Sequence, residues 1–289
     1  MKTHRAVQVA TTAVALGLTL AACSGDDGDT DSSAAVTTVS HIHGLGLDPS
    51  DQRLYVATHE GIYTPDAKGD PTLVGDSKDD FMGFTVARSK TFYASGHPAS
   101  GADGPGNKGL IKSTDAGRTW KSLSLSGKSD FHALDYAHGT VYGYDSTGGL
   151  LRTSKDGTTW KDGATFQALD IAVDPDDADL VLATTAGGVA RSTDGGKTFT
   201  KGKQPVMAFL SWKVKSALYG IDTSGRVSRS TDGGATWEKL ATVPGGQPQA
   251  LTAVDAERIL AATRNGVYES KDGGKTFAKR LAVESSGGH

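Results

Sequence analysis

The stretch Ser192-Thr193-Asp194-Gly195-Gly196-Lys197-Thr198-Phe199 decides the fold, because the chain repeats it. It returns as Ser230-Thr231-Asp232-Gly233-Gly234-Ala235-Thr236-Trp237 and as Ser270-Lys271-Asp272-Gly273-Gly274-Lys275-Thr276-Phe277. It also occurs earlier, as Ser113-Thr114-Asp115-Ala116-Gly117-Arg118-Thr119-Trp120. Ser154-Lys155-Asp156-Gly157-Thr158-Thr159-Trp160 is the same pattern one residue short, and a relic survives near Thr64-Pro65-Asp66. A unit recurring every forty residues or so signals a repeat architecture. The pattern suits a tight hairpin: Asp accepts hydrogen bonds from turn amides and Gly supplies a positive φ. The Ser and Thr side chains brace the flanking strands, and the closing aromatic ring packs between neighbouring units.

A second repeat runs in step with the first. His43-Gly44-Leu45 is echoed by Met82-Gly83-Phe84, His132-Ala133-Leu134, Gln167-Ala168-Leu169, Met207-Ala208-Phe209 and Gln249-Ala250-Leu251. Each unit reads as four short strands separated by Gly-, Asp- and Pro-rich turns. In the fourth unit these are Ala168 to Val173, Leu180 to Thr184, Gly188 to Ser192 and Thr198 to Lys201. The 38 glycines and the lack of helix-period stretches agree with many short strands. Six four-stranded units around an axis make an all-β, single six-bladed β-propeller, which protects its sheet edges by radial repetition. The expected propeller spans residues 36–284, with Val36 to Ser40 placed to complete the last blade and close the ring.

The pattern Ser-x-Asp-x-Gly-x-Thr-Trp/Phe resembles the Asp-box, also called the BNR repeat, of sialidase-like propellers and sortilin-type domains. The chain also resembles a group of bacterial Asp-box lipoproteins often labelled glycosylhydrolase-like. That second resemblance rests on His41-Ile42-His43-Gly44-Leu45, Asp80-Phe81-Met82-Gly83-Phe84, Ser95-Gly96-His97-Pro98 and Asp130-Phe131-His132-Ala133. Both resemblances imply a fold, and neither specifies a chemistry.

The chain begins with the basic Met1-Lys2-Thr3-His4-Arg5, followed by an apolar or small stretch from Ala6 to Leu20 and then Leu20-Ala21-Ala22-Cys23. This reads as a lipoprotein signal peptide over residues 1–22, cleaved before Cys23, the single cysteine, which is then lipidated. Residues 23–35 read as the lipidated Cys and a disordered tether, because Ser24 to Ala35 is polar and aperiodic. Residues 285–289 read as a disordered tail. The expected location is the cell membrane, lipid-anchored on the extracytoplasmic face. Net charge is −3, with basic residues scattered, so no nucleic-acid surface is expected.

The repeat alignment brings donors to one mouth of the axial channel. The ring of residues opening the inner strands is His43, Met82, His132, Gln167, Met207 and Gln249; two residues earlier stand His41, Asp80, Asp130, Thr165, Pro205 and Gln247. The second strand runs antiparallel to the first, so His59 and His97 at its end join the same face. Five of the eight histidines and two of the three methionines therefore gather there. Imidazole and thioether donors suit a soft or borderline transition ion, so the metal set is His41, His43, His59, Met82, His97, His132 and Met207, with copper first and zinc second. No organic cofactor is expected.

Two other classes stay open. A hydrolase of sialidase-like fold, acting on a substrate other than sialic acid, would draw on Asp80, Asp130 or Glu60. The sialidase resemblance implies an arginine triad at this mouth, and no inner strand opens with Arg. Arg53 lies in a first-to-second strand turn, Arg118, Arg152 and Arg191 lie in or beside the Ser-Asp hairpins, and only Arg264 ends a second strand. The remaining class is a surface scaffold with a protein partner.

Overall fold

The computed structural model describes Val39 and residues 41–283. The expected signal peptide, Cys23, the expected tether and tail, and residues 36–38, 40 and 284 of the expected propeller, lie outside the described residues.

Every described element is a strand, and the strands form six antiparallel sheets in chain order. The first blade is β1 (Ile42–Leu47), β2 (Leu54–Thr58), β3 (Gly61–Pro65) and β4 (Pro71–Leu73). The second is β5 (Asp80–Arg88), β6 (Thr91–His97), β7 (Leu110–Ser113) and β8 (Lys121–Ser124). The third is β9 (Phe131–Ala137), β10 (Thr140–Asp145), β11 (Leu150–Ser154) and β12 (Lys161–Thr165). The fourth is β13 (Ile171–Val173), β14 (Val181–Thr185) and β15 (Gly188–Ser192). The fifth is β16 (Phe209–Val214), β17 (Ala217–Ile221), β18 (Arg226–Ser230) and β19 (Glu238–Thr242). The sixth is β20 (Pro248–Ala253), β21 (Ile259–Thr263), β22 (Gly266–Ser270) and β23 (Ala278–Ala282). The inner strands β1, β5, β9, β13, β16 and β20 touch in circular order, with β20 against β1. The expected six-bladed propeller is therefore the observed fold.

The core is divided among the blade interfaces. Each of six hydrophobic clusters straddles one interface: Tyr55, Ile62, Phe81 and Phe92 join blades one and two, and Tyr93, Leu110, Phe131 and Val141 join two and three. The same arrangement continues to Val39, Val56, Leu260 and Leu281 between blades six and one. Burying one such large side chain stabilises by roughly 2–3 kcal/mol. The closing aromatics of the repeat pack where the motif requires. Trp160 stacks on Phe131 at 4.9 Å and donates its indole N–H to Ser124 Oγ of the preceding blade at 2.9 Å.

The Ser-x-Asp turns owe their shape to one carboxylate. Asp194 Oδ1 accepts hydrogen bonds from Ser192 Oγ (2.7 Å), Lys197 N (3.0 Å) and Thr198 N (3.0 Å), while Oδ2 accepts from Thr198 Oγ1 (2.6 Å). Ser192 Oγ in turn accepts from Gly196 N at 2.9 Å. The Ser and Thr hydroxyls thus clamp the Asp instead of bridging strands directly. Gly195 and Gly196 adopt φ of 73° and 85°, the left-handed region that favours glycine.

Two expectations are corrected. Blade four has three strands, not four: residues 198–201 form no strand, and only an isolated bridge pairs Val189 with Lys203. Its inner strand starts at Ile171, not Ala168. Leu169 N donates to Thr184 O and Asp170 N to Thr184 Oγ1, so two residues oppose one and Leu169 is turned out to 56% exposure. Of Val36 to Ser40 only Val39 is described, so the expected closing strand lies outside the described residues; the described strands of the last blade come from residues 248–282. The ring closes through packing of Val39 and through three hydrogen bonds, Ile42 N to Gln249 Oε1 (3.3 Å), Thr252 Oγ1 to Leu45 O (2.8 Å) and Arg258 Nη1 to Gln52 Oε1 (2.8 Å).

Asp66 accepts only the amides of Lys68 and Asp70 through its side chain, against the four donors that Asp194 holds. Asp194→Ala is therefore expected to lower the thermal midpoint clearly more than Asp66→Ala, as read by circular dichroism. Equal losses would contradict this account of the turns.

Candidate metal centre

The mouth residues owe their direction to a repeated irregularity. In the β1–β2 pair Ile42 opposes Thr58 and Gly44 opposes Ala57, leaving His43 as an extra residue. Met82 is the extra residue between Phe81 and Gly83 on β5, His132 between Phe131 and Ala133 on β9, and Gln249 between Pro248 and Ala250 on β20. A β-bulge bends its strand and re-aims a side chain. The column that the repeats align is thus a column of bulges ringing one end of the channel. Glycine permits the crowding beside it. A Cβ on Gly96 (φ 148°) would lie 1.8 Å from Asp80 O, so only glycine lets β6 pass this close to the start of β5.

Two three-residue groups result, each with ligand-type atoms within 4.8 Å of one another: His43, His59 and Asp80, and His97, Asp130 and His132. In the first group His43 Nε2 lies 3.3 Å from either ring nitrogen of His59 and 3.9 Å from Asp80 Oδ1. His59 Nδ1 lies 3.0 Å from Asp80 Oδ1, yet that buried oxygen has no correctly directed hydrogen-bond donor. The two imidazoles contact each other, but the carboxylate oxygen they converge on is left without a donor, which is an arrangement a cation completes. His41 stacks on His43 with ring centroids 4.8 Å apart and meets His59 edge-on at 5.3 Å.

Electrostatics keep the first group ready to ligate. Burial, reinforced by the neighbouring His59, His41, His132 and His97, pushes His43 down to about 3, so the ring is neutral at physiological pH. Burial and then the charge of His59 also lower His41, with Arg264 adding to the effect and Asp80 opposing it. A neutral imidazole offers its lone pair to a metal.

The second group is more fully hydrogen-bonded. His132 Nε2 and Asp130 Oδ2 are 2.8 Å apart, and Ser146 Oγ donates to the same oxygen at 3.3 Å. That hydrogen bond raises His132 against its partial burial. Burial alone would raise Asp130, but the hydrogen bond and charge of His132, then His97, hold it below the usual carboxylate range. His97 Nε2 stands 3.6 Å from Asp130 Oδ2, and its Nδ1 contacts Gly106 O at 2.9 Å.

Five of the seven sequence-derived metal candidates, His41, His43, His59, His97 and His132, thus meet at the mouth, all but His41 as members of the two groups. Met82 sits half-buried in the bulge column between His43 and His132. Met207 does not face the mouth. It is 3% exposed and packs among Leu182, Leu210, Trp212 and Leu218, with its sulfur filling the space left by the missing side chain of Gly220. Of the acids, Asp80 and Asp130 each belong to one group, and Glu60, exposed on the β2–β3 turn, belongs to neither.

Sequence reasoning missed the residues that fix the loop over the second group. Asp79 accepts from Ala99 N (3.0 Å) and pairs with Lys108 Nζ (2.6 Å), and Lys108 N donates to Gly96 O (2.8 Å). The signal was present in the long connection between β6 and β7, residues 98–109, where blade one has only His59 and Glu60 between β2 and β3.

No protein-family model and no curated protein matches the chain. Solved structures match its fold. A GH74 enzyme of Niastella koreensis is similar over 86% of this chain and 46% of its own, at 19% identity and a TM-score of 0.61. The chain spans less than half the length of the GH74 structures it matches. Virginiamycin B lyase of Staphylococcus aureus is similar over 86% of this chain and 89% of its own, at 13% identity and TM-score 0.59. YCF48 bound to a D1 peptide is similar over 84% and 83%, at 16% identity and TM-score 0.54. At these identities the likeness is one of fold alone.

The lowered His43 has a consequence for stability. The unfolded chain takes up a proton near pH 6.5, whereas the folded one resists until about 3. The unfolded state thus binds more protons between those values, and stability falls as pH drops through that window, by an amount on the order of a few kcal/mol. His43→Gln is expected to flatten this part of the metal-free stability profile, measured by urea unfolding from pH 7 to 4. An unchanged slope would contradict the burial of a neutral His43.

Proposed function

We propose that this propeller is a membrane-anchored, extracytoplasmic metal-binding module, with a transition ion held at the channel mouth by His43, His59 and Asp80. The observation that carries the reading is the buried Asp80 Oδ1, which lacks a hydrogen-bond donor although two imidazoles crowd it. His41, stacked on His43, orients that ring or supplies a fourth donor. Two nitrogens and one carboxylate oxygen suit a divalent borderline ion, Zn(II) or Cu(II). With Met207 in the core, the thioether-rich set that would favour Cu(I) is reduced to Met82. The anchor is Cys23, supported by the basic start, the apolar stretch and Leu20-Ala21-Ala22-Cys23. The Ser-Asp turns support a place among Asp-box propellers.

The hydrolase reading is weaker. Asp80 and Asp130 stand at the mouth, and a GH74 enzyme shares the fold, but both acids are engaged by histidines. A protein partner gains support from the peptide-bound YCF48 and from the nidogen/laminin complex, both of the same fold.

Calorimetric titration of the metal-free domain with Zn(II) and Cu(II) tests the proposal. His43→Ala combined with His59→Ala is expected to weaken the tightest binding step by about 100-fold or more. Met207→Leu is expected to leave affinity unchanged. A double histidine variant that keeps the tightest step would refute metal binding at this site.

A further inference from the structure

We infer that the mouth is a two-ion centre, with a second divalent transition ion held by His97, Asp130 and His132. This extends the single-ion reading of His43, His59 and Asp80.

Two of the three members of each group fill the same backbone positions of successive blades. His59 and His97 stand at the mouth-side ends of β2 and β6, and Asp80 and Asp130 stand where β5 and β9 begin. In both cases a histidine from one blade meets the aspartate of the next across the interface: His59 Nδ1 to Asp80 at 3.0 Å, His97 Nε2 to Asp130 at 3.6 Å. The third donor comes in each case from a bulged inner-strand residue, His43 for the first group and His132 for the second. These two bulges flank Met82, so the groups are arranged about blade two as a common centre.

Three further observations point to a ligand in the second group. Asp130 Oδ1, like Asp80 Oδ1, is buried and has no hydrogen-bond partner, although Oδ2 of the same carboxylate is amply bonded. A buried carboxylate oxygen left bare is costly unless something cationic reaches it. The 2.9 Å contact of His97 Nδ1 with Gly106 O requires the ring to donate there, so that in the neutral ring it is Nε2, facing Asp130, that carries the lone pair. A metal-ligating histidine characteristically donates its other ring nitrogen to a carbonyl or carboxylate in this way. Lastly, the groups abut: Asp80 and His97 are direct cross-strand partners on β5 and β6. Opposed residues of an antiparallel pair lie roughly 5 Å apart at Cα, which places the groups side by side in one centre.

The groups differ in what an ion must displace. In the first, an ion displaces only the 3.3 Å contacts between His43 and His59, with no hydrogen bond holding Asp80 Oδ1, whereas in the second the 2.8 Å bond between His132 and Asp130 must open. The first group therefore fills first and the second more weakly.

The experiment counts Zn(II) ions per chain by calorimetry with elemental analysis, on the mature protein and on two double variants. The wild type is expected to bind two ions in two steps. His97→Gln with His132→Gln, chosen to keep polar side chains in place, is expected to lose the weaker step and keep the tighter one within about threefold. His43→Ala with His59→Ala is expected to lose the tighter step. A wild type that binds one ion, or a weaker step that survives in the His97/His132 variant, overturns the two-ion centre and leaves the single-ion reading standing. A tighter step that survives in the His43/His59 variant overturns the single-ion reading instead. Thermal melts of the metal-free variants establish that each is folded, and if the glutamine pair fails to fold, His97→Ala alone is read in its place.

Discussion

The closeness of neighbouring inner strands is the constraint on which everything else in this molecule depends. At Gly83 a Cβ would lie 2.3 Å from Phe131 O of the next blade, and at Gly44 it would lie 2.9 Å from Phe84 Cβ. Only glycine or alanine at this position lets six strands converge on one axis. That convergence aligns the hydrophobic clusters of successive interfaces and brings a second-strand end of one blade within reach of an inner-strand start of the next. If it loosens, the core interfaces open and His59 loses Asp80 together.

Chemistry enters this frame by substitution at fixed positions. Blades one to three carry imidazoles and carboxylates in the bulge column and beside it. The corresponding positions of blades four to six carry Thr165 and Gln167, Pro205 and Met207, and Gln247 and Gln249. The backbone is repeated around the ring, and the donors are confined to one side of it. An asymmetric site on a symmetric scaffold follows without any special loop, although the residue 98–109 connection adds a pinned cover over the second group. Deeper in the channel the same inner positions serve structure. Asp135 and Asp170 line its wall and accept the amides of Val173 and Leu210 from the next blade at 2.9 and 2.8 Å. Burial pushes Asp170 up to about 7, against the lowering effect of the Leu210 and Ile171 amides.

Much of this was legible because repeats carry their own register. The Ser-x-Asp turns located one end of every blade and the triplets located the other, so strand order and the face of each histidine followed from sequence. The bulges were not legible. The pattern aligned His43, Met82, His132 and Met207 as equals, and packing separated them: a glycine at position 220 opened a hole that Met207 fills, while His43 and His132 turned to the mouth. Blade four escaped for a related reason, since Thr184 captures both Leu169 and Asp170 and shortens the inner strand. The pairing of His59 with Asp80 across an interface depends on the spacing between blades, which no local pattern encodes. The pinning of the long loop by Asp79 and Lys108 is likewise a tertiary event between residues that sequence separates.

Anomalous diffraction from crystals of the domain soaked in Zn(II) tests the central claim most directly. The account places a peak at bonding distance, about 2.0–2.2 Å, from His43 Nε2, a ring nitrogen of His59 and an oxygen of Asp80. A fully soaked crystal with no peak between those three side chains, their atoms still in mutual contact, would contradict it.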